Sequence, residues 1–428
     1  MSCIRFWKYK KLLRLALLLC FGMTAVVAAA AESAHEPDFP RLMGMNIGAK
    51  NYDDTTYVEQ LAKPDVVILG FYNTWKNRGL SIRDAVRRIK QRNPNVLIGQ
   101  YTILPETYDP ADKRYADKDK GNKIDKEKWW LLDANGSRVQ WTDKHDAWDV
   151  NITSWSKPDS SGRRYPEWLA ERDFAMYFKS VPEFDIWYFD NAISRPAVKS
   201  ADWDGDGKND NRDDPRIAEA YRRGHVAHWE TARKLHPTAL FIGNSDDVSS
   251  PEYSGKLQGA FMEAVIGASW SMERWKGWDA VMERYRSAII HTAEPHIVGF
   301  NVHGSKVDYQ RMRYGLASCL LDDGYFSYTD EDVEYGSVVW FDEYDVELGK
   351  AIDHPPLQPW QNGVYRRRFE NVMALFNPDM LSKTVSIEAG YWRFSGKQAP
   401  EVNNGTVATS VTLPGKDGVI LIKEQGAR

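Results

Sequence analysis

Two acidic residues stand where acids are costly. Asp190 closes the run FDIWYFDNA (184–192), and Glu263 is the only acid in GAFMEAVIG (259–267). Both runs are largely apolar, so each carboxyl must be hydrogen-bonded, paired or kept protonated. Period two places Phe184, Ile186, Tyr188 and Asp190 on one face of a strand, and Phe261 with Glu263 on one face of another. Facing one hollow, such a pair has what glycosidic cleavage needs: a protonated acid for the leaving oxygen, and an ionised one as nucleophile or as base for water. Asp190 takes the ionised role, because Asn191 and nearby tyrosines can stabilise an anion. Glu263 takes the acid role, because apolar surroundings favour its neutral form. Asp246 is the alternate acid. Asp247, Asp330, Glu331 and Asp332 end other runs and read as solvated loop acids. A structural ion pair with an arginine is the competing explanation for either buried acid.

Around these acids lie side chains suited to a sugar. Tyr72, Gln100, Tyr101, Asn191, Asn244, Asn301 and His303 all fall at or near the ends of apolar runs. Their amides, hydroxyls and ring nitrogens match the many donors and acceptors of a carbohydrate, and a polar group inside such a run needs a partner. The chain has 17 tryptophans, six of them (129, 130, 141, 148, 155 and 168) in one stretch. Indole faces stack on pyranose rings, and Trp141, Trp148 and Trp270 are the candidate platforms. Filling the core is the competing use of such rings.

A second constellation is DWDGDGKNDNRDD (202–214). Asp202, Asp204, Asp206, Asp210 and Asp213 occupy loop positions 1, 3, 5, 9 and 12, with Gly207 at 6 and the backbone carbonyl of Lys208 at 7. Oxygen ligands at that spacing wrap a hard cation, so a structural Ca2+ is expected there, with no cofactor needed for catalysis. A solvated acidic turn is the alternative. No His/Cys cluster has the spacing of a zinc site, no Gly-x-Ser-x-Gly element is present, and no glycine-rich phosphate loop follows an early strand.

The elements that must carry these residues are eight short apolar runs, at 42–49, 66–72, 95–103, 184–192, 239–247, 259–267, 296–304 and 324–332. Being apolar on both faces, they read as buried parallel strands, and helical patterns lie between several of them. The expected fold is a (β/α)8 TIM barrel over residues 40–350, with its active site at the C-terminal strand ends. An excursion of about eighty residues (104–183) is too long for one crossover helix, and the link between the fifth and sixth runs leaves room for little or no helix. Alternating runs from 362 to 428 predict a small β-sandwich-like domain.

Residues 1–31 carry five basic residues, then an apolar run and small residues, as a secretory signal peptide does. A retained anchor is the lesser alternative. Without those five charges the formal net charge of −4 becomes −9, which gives no general attraction for nucleic acid or anionic membrane. Of three cysteines only Cys319 lies beyond the leader, so no internal disulfide is expected. A secreted or periplasmic bacterial monomer follows, with membrane contact only if the leader is retained.

FDIWYFDNA, RYGLASCLLDDGYFSYTD (313–330), GVYRRRFENVMALFNP and VTLPGKDGVILIK together resemble bacterial glycoside hydrolase families that join a TIM barrel to a C-terminal β domain. The chain is also distantly similar to the α-galactosidase-like clan, which uses an Asp on strand four and an acid on strand six. That resemblance matches Asp190 and Glu263, although the second acid there is usually Asp. It implies hydrolysis of an O-glycosidic bond in an extracellular or cell-envelope polysaccharide or oligosaccharide. The alternative is a non-catalytic carbohydrate-binding or polysaccharide-assembly protein on the same scaffold.

Overall fold

The structure is a computed structural model that describes residues 37–424, apart from 49–50, 73–74, 76, 112–117, 143–145 and 246. The expected leader (1–31) and Asp246 lie outside the described residues. Among the described residues no helix is long and apolar enough to cross a membrane.

Eight strands pair in parallel, in sequence order: β1 (Met43–Asn46), β2 (Val66–Leu69), β3 (Leu97–Ile103), β4 (Ile186–Asp190), β5 (Leu240–Asn244), β6 (Gly259–Ile266), β7 (Ile297–Gly304) and β8 (Tyr325–Asp330). A parallel bridge between Leu42 and Phe326 joins the last strand to the first. The expected (β/α)8 TIM barrel is therefore the observed fold, and all eight apolar runs supply its strands. The alternation is physical. Ile186, Tyr188, Ile242 and Phe261 fill the barrel interior with Met43, Ile68 and Tyr325, whereas Trp187, Phe189, Phe241 and Met262 face the helical layer. Phe184 precedes β4 and joins the outer layer rather than the interior.

The helices are α1 (Thr55–Leu61), α2 (Ile82–Arg92), α3 (Lys118–Glu127), α4 (Tyr165–Asp173), α5 (Pro215–Leu235), α6 (Met272–Lys276), α7 (Trp278–His291) and α8 (Tyr309–Cys319). Among the described residues between β5 and β6 there is no helix, only turns and irregular chain, as the short link requires. The long excursion after β3 folds as a subunit with its own core. A short ribbon pairs Glu106–Tyr108 with Ala147–Asp149, and Trp129, Trp130, Ile124, Val150 and Leu169 pack behind it.

Six C-terminal strands follow: β9 (Tyr365–Arg368), β10 (Val372–Asn377), β11 (Lys383–Ser386), β12 (Tyr391–Arg393), β13 (Ser410–Leu413) and β14 (Asp417–Lys423). They form a four-stranded antiparallel sheet in the order β9-β10-β14-β12, and a separate β11-β13 pair. Alternation again assigns the faces. Val372, Ala374, Phe376 and Ile420 join the barrel's outer core, while Met373, Leu375, Val419 and Leu421 pack against Val385, Val411 and Leu413 of the smaller pair.

Candidate active site

Period two along β4 continues the interior face through Tyr188 to Asp190, which emerges half-buried at the C-terminal rim. On β6 the same face runs through Phe261 to Glu263. The pairing of β6 with β7 then slips between Met262 and Ile266, and Ala264 adopts φ +45°. A bulge of this kind re-aims one side chain, here Glu263. Asn301 on β7 holds the bulge: its Oδ1 accepts the Ala264 N–H at 2.9 Å, and its amide donates to Ser327 and Thr329.

The two acids meet through Asn244 at the end of β5. Its Nδ2 donates to Asp190 Oδ1 and to Glu263 Oε2, at 2.9 Å each. These two carboxylate oxygens thus lie no farther apart than twice that length. The Tyr101 hydroxyl donates to Asp190 Oδ2, and the Tyr335 hydroxyl bonds Glu263 Oε1 and stands 3.3 Å from His303 Nε2. Burial, then the neighbouring charge of Glu263, pushes the Asp190 carboxyl above its usual range; Tyr101, Asn244 and the Asn191 N–H pull the other way. Two adjacent carboxylates behave in this way because the pair holds its first proton more tightly than an isolated group would.

Behind Asp190 lies a third carboxyl that the sequence does not single out. Glu106 is buried, and burial, then Asp149 and Asp190, push it up to about 8, with Lys120 opposing. It accepts from the Asn191 amide at 3.4 Å, so that side chain turns to Glu106 while its backbone serves Asp190. Asn191 sits at φ +49°, a conformation Asn tolerates better than most residues.

The remaining candidates divide. Tyr72, 46% exposed, lines a cavity of about 490 Å³ beside Tyr101, Glu106, Lys120 and Arg172. Trp270 is 55% exposed, with its ring 6.0 Å from that of His303. Gly267, at φ +98°, lets the chain leaving β6 pass close against β7, since a Cβ there would sit 1.8 Å from the His303 carbonyl oxygen. Trp141 and Trp148 are half-buried, and Trp148 packs on the core of the excursion with Trp129 and Trp130. Gln100 and Asn301 lie deeper than the other candidates. Both are fully buried, Gln100 donating to the Phe71 and Tyr101 carbonyls and Asn301 fixing the bulge. Among the other acids, Asp247 pairs with Arg284 at 2.9 Å, and buried Asp330 with Lys306 at 3.5 Å.

In the acidic loop, Asp202, Asp204 and Asp210 bring one oxygen each within 4.8 Å of one another, an arrangement able to hold a divalent cation. Asp206 and Lys208 are exposed, and Asp213 pairs with Arg195 at 2.8 Å. Arg216 lies against the cluster, 2.7 Å from both Asp204 and Asp210.

Among solved structures, an α-amylase from Lactobacillus plantarum is similar with a TM-score of 0.51 at 10% identity, over 90% of this chain and 99% of that one, which shows a common fold. An Anoxybacillus α-amylase (TM-score 0.47, 9% identity, 88% and 90% covered) and the glycoside hydrolase domain of PelA from Pseudomonas aeruginosa (0.44, 13%, 70% and 98%) are also similar. No curated protein matches the sequence. The profile of hypothetical glycosyl hydrolase family 15 matches residues 90–373, and the chain belongs to that family.

Proposed function

We propose that the protein is a retaining glycoside hydrolase acting on an extracellular or cell-envelope polysaccharide, with Asp190 as nucleophile and Glu263 as acid/base. The observation that supports this most directly is the single Asn244 nitrogen serving both carboxyl groups. Retaining enzymes hold their carboxyls about 5–5.5 Å apart, whereas inverting ones leave room for a water between them. In the first step an Asp190 oxygen attacks the anomeric carbon, the bond to the leaving oxygen breaks, and Glu263 gives that oxygen its proton. In the second step water attacks the glycosyl-Asp190 ester, Glu263 takes the water's proton, and Asp190 leaves as carboxylate. Trp270 and Tyr72, both exposed at the rim, are the proposed sugar contacts, with Trp141 and Trp148 farther along the excursion. The strand-four and strand-six placement is the one that the resemblance to the α-galactosidase-like clan implies.

The test is a reducing-sugar screen on bacterial exopolysaccharides and plant glucans with wild type, Asp190→Asn and Glu263→Gln. Each variant should lose about 10²–10⁴-fold in rate, and NMR of the first product should show the anomeric configuration kept. Equal rates in all three proteins would remove the pair from the chemistry. A protein that only holds polysaccharide would change its tryptophan fluorescence with sugar and release no reducing ends.

We also propose that Asp202, Asp204 and Asp210 take Ca2+, with Arg216 released from the cluster on binding. The donor set fits, being all oxygen, and Asp202 is already oriented by the N–H groups of Gly205, Asp206 and Gly207. Calcium should raise the melting temperature of the wild type and leave that of Asp204→Asn/Asp210→Asn unchanged.

A further inference from the structure

We propose that Tyr335 is a positioning residue whose hydroxyl turns between Glu263 and His303, and that this choice of acceptor makes Glu263, rather than Asp190, the site acid that holds the proton. The proposal rests on reading Glu263 as the acid/base. Tyr335 lies beyond β8, and its backbone carbonyl is held by the Gly48 N–H at 3.0 Å, which fixes the ring at the barrel mouth.

Asn244 decides where a proton can sit. Its Nδ2 has two hydrogens and gives one to Asp190 Oδ1 and one to Glu263 Oε2, so both of those oxygens must accept. A proton on either acid therefore occupies the opposite oxygen, which in both cases faces a tyrosine hydroxyl. The two tyrosines are not equivalent. The only partner shown for the Tyr101 hydroxyl among the described residues is Asp190, so its hydrogen has no second acceptor there, and this bond opposes the burial and the Glu263 charge that push the Asp190 carboxyl up. Tyr335 has two partners, Glu263 Oε1 and His303 Nε2. When Glu263 is protonated on Oε1 it donates to the Tyr335 oxygen, and the Tyr335 hydrogen turns to His303. When Glu263 is ionised, the hydrogen turns back. Each catalytic step changes the protonation of Glu263 once, so the hydroxyl reverses once per step.

His303 must be neutral, with its hydrogen on Nδ1, to accept. Burial pushes its pKa down, with Glu334 and Glu331 opposing. Trp270 covers it from the β6 side, and Arg311 reaches only its backbone carbonyl, at 3.4 Å.

The test reads the pair from the histidine end and needs no substrate. Protein labelled with 15N-histidine shows the ring nitrogens of His303, assigned by comparison with His303→Gln. In Glu263→Gln the amide oxygen meets Asn244 and the NH2 faces Tyr335, which copies the acid form. The Nε2 resonance should then move to that of a hydrogen-bonded acceptor, and the ring should titrate about one pH unit lower. In the Tyr335→Phe background most of this response to Glu263→Gln should vanish. The wild type alone offers the same reading, because the Nε2 displacement must appear as the carboxyl pair takes up its proton. An equal response with and without the Tyr335 hydroxyl would mean coupling through space, and the relay would fall. If the coupling holds while Glu263→Gln remains fully active in the sugar-release assay, the failure belongs to the acid/base reading and not to the hydrogen-bond geometry.

Discussion

Asn244 and Asn301 carry the same side chain and do different work. Asn244 stands half-buried at the rim and gives both amide hydrogens to carboxyl groups. Asn244→Ala removes the shared donor and returns the two acids to direct repulsion. The expected result is about a 10²-fold loss in kcat/KM with little change in urea midpoint. Asn301 is fully buried and answers three groups, the Ala264 N–H and two hydroxyls. Asn301→Ala leaves the Ala264 N–H unpaired, which costs about 1–3 kcal/mol, and lets the bulge carrying Glu263 relax. Urea denaturation should show the stability loss, together with a fall in activity. Polarity at a strand end nominates both asparagines in the sequence, but nothing there separates them, because the separation depends on which strand lies alongside.

At the scale of elements, the C-terminal sheet is joined to the barrel through buried contacts. Arg313 of α8 makes two bonds to Asp417 of β14, at 3.0 and 2.9 Å, and both side chains are buried. Burial raises the Asp417 carboxyl even with the guanidinium against it, so desolvation outweighs the pairing. A pair of this kind adds little net stability, yet breaking it leaves a buried charge alone. Arg313→Met should therefore cost about 3–5 kcal/mol in urea denaturation, and Arg313→Met/Asp417→Leu should recover most of it. Gly418 shows how close the contact is, since a Cβ there would lie 2.4 Å from that of Ala317. The sandwich-like pattern was legible in the chain as alternation. Its partner was not, because alternation marks two apolar faces without naming what each one meets.

For the whole molecule, stability should vary with pH in two opposing ways. His225 and His228 are buried in α5, and burial lowers them from 6.5 to about 3 and about 4. Their contribution is present above pH 6.5 and is lost as pH falls toward those folded values, because only the unfolded chain takes the protons. Glu106 and Asp65 act in the other sense. Burial raises them from 4.5 to about 8 and from 3.8 to about 6, so their contribution is full below the ordinary carboxyl values and is lost as pH rises through the folded ones. Urea midpoints should accordingly peak in mildly acidic buffer. His225→Phe should keep on the order of 2 kcal/mol more stability than wild type when both are taken from pH 7 to pH 4.5. Neither ring nitrogen of His225 has a partner among the described residues, so removing them leaves no donor behind. Glu106→Gln should flatten the decline between pH 6 and 8. A wild type with the same stability at pH 4.5 and pH 7, matched by both variants, would contradict this account.

The amino-acid order alone determined eight buried strands, their parallel arrangement in a closed barrel, and the two acids at strand ends, because period and apolarity are local properties written in consecutive residues. Tertiary structure alone decided that one Asn244 amide joins those acids, that Tyr335 from beyond β8 completes the group, and that Gln100 and Asn301 are fully buried. It also decided that Trp129 and Trp130 of the excursion are core and that Asp202, Asp204 and Asp210 of the acidic loop converge. Each of these outcomes depends on distances between segments remote in sequence, and a spacing pattern along one segment carries no information about what another segment brings beside it.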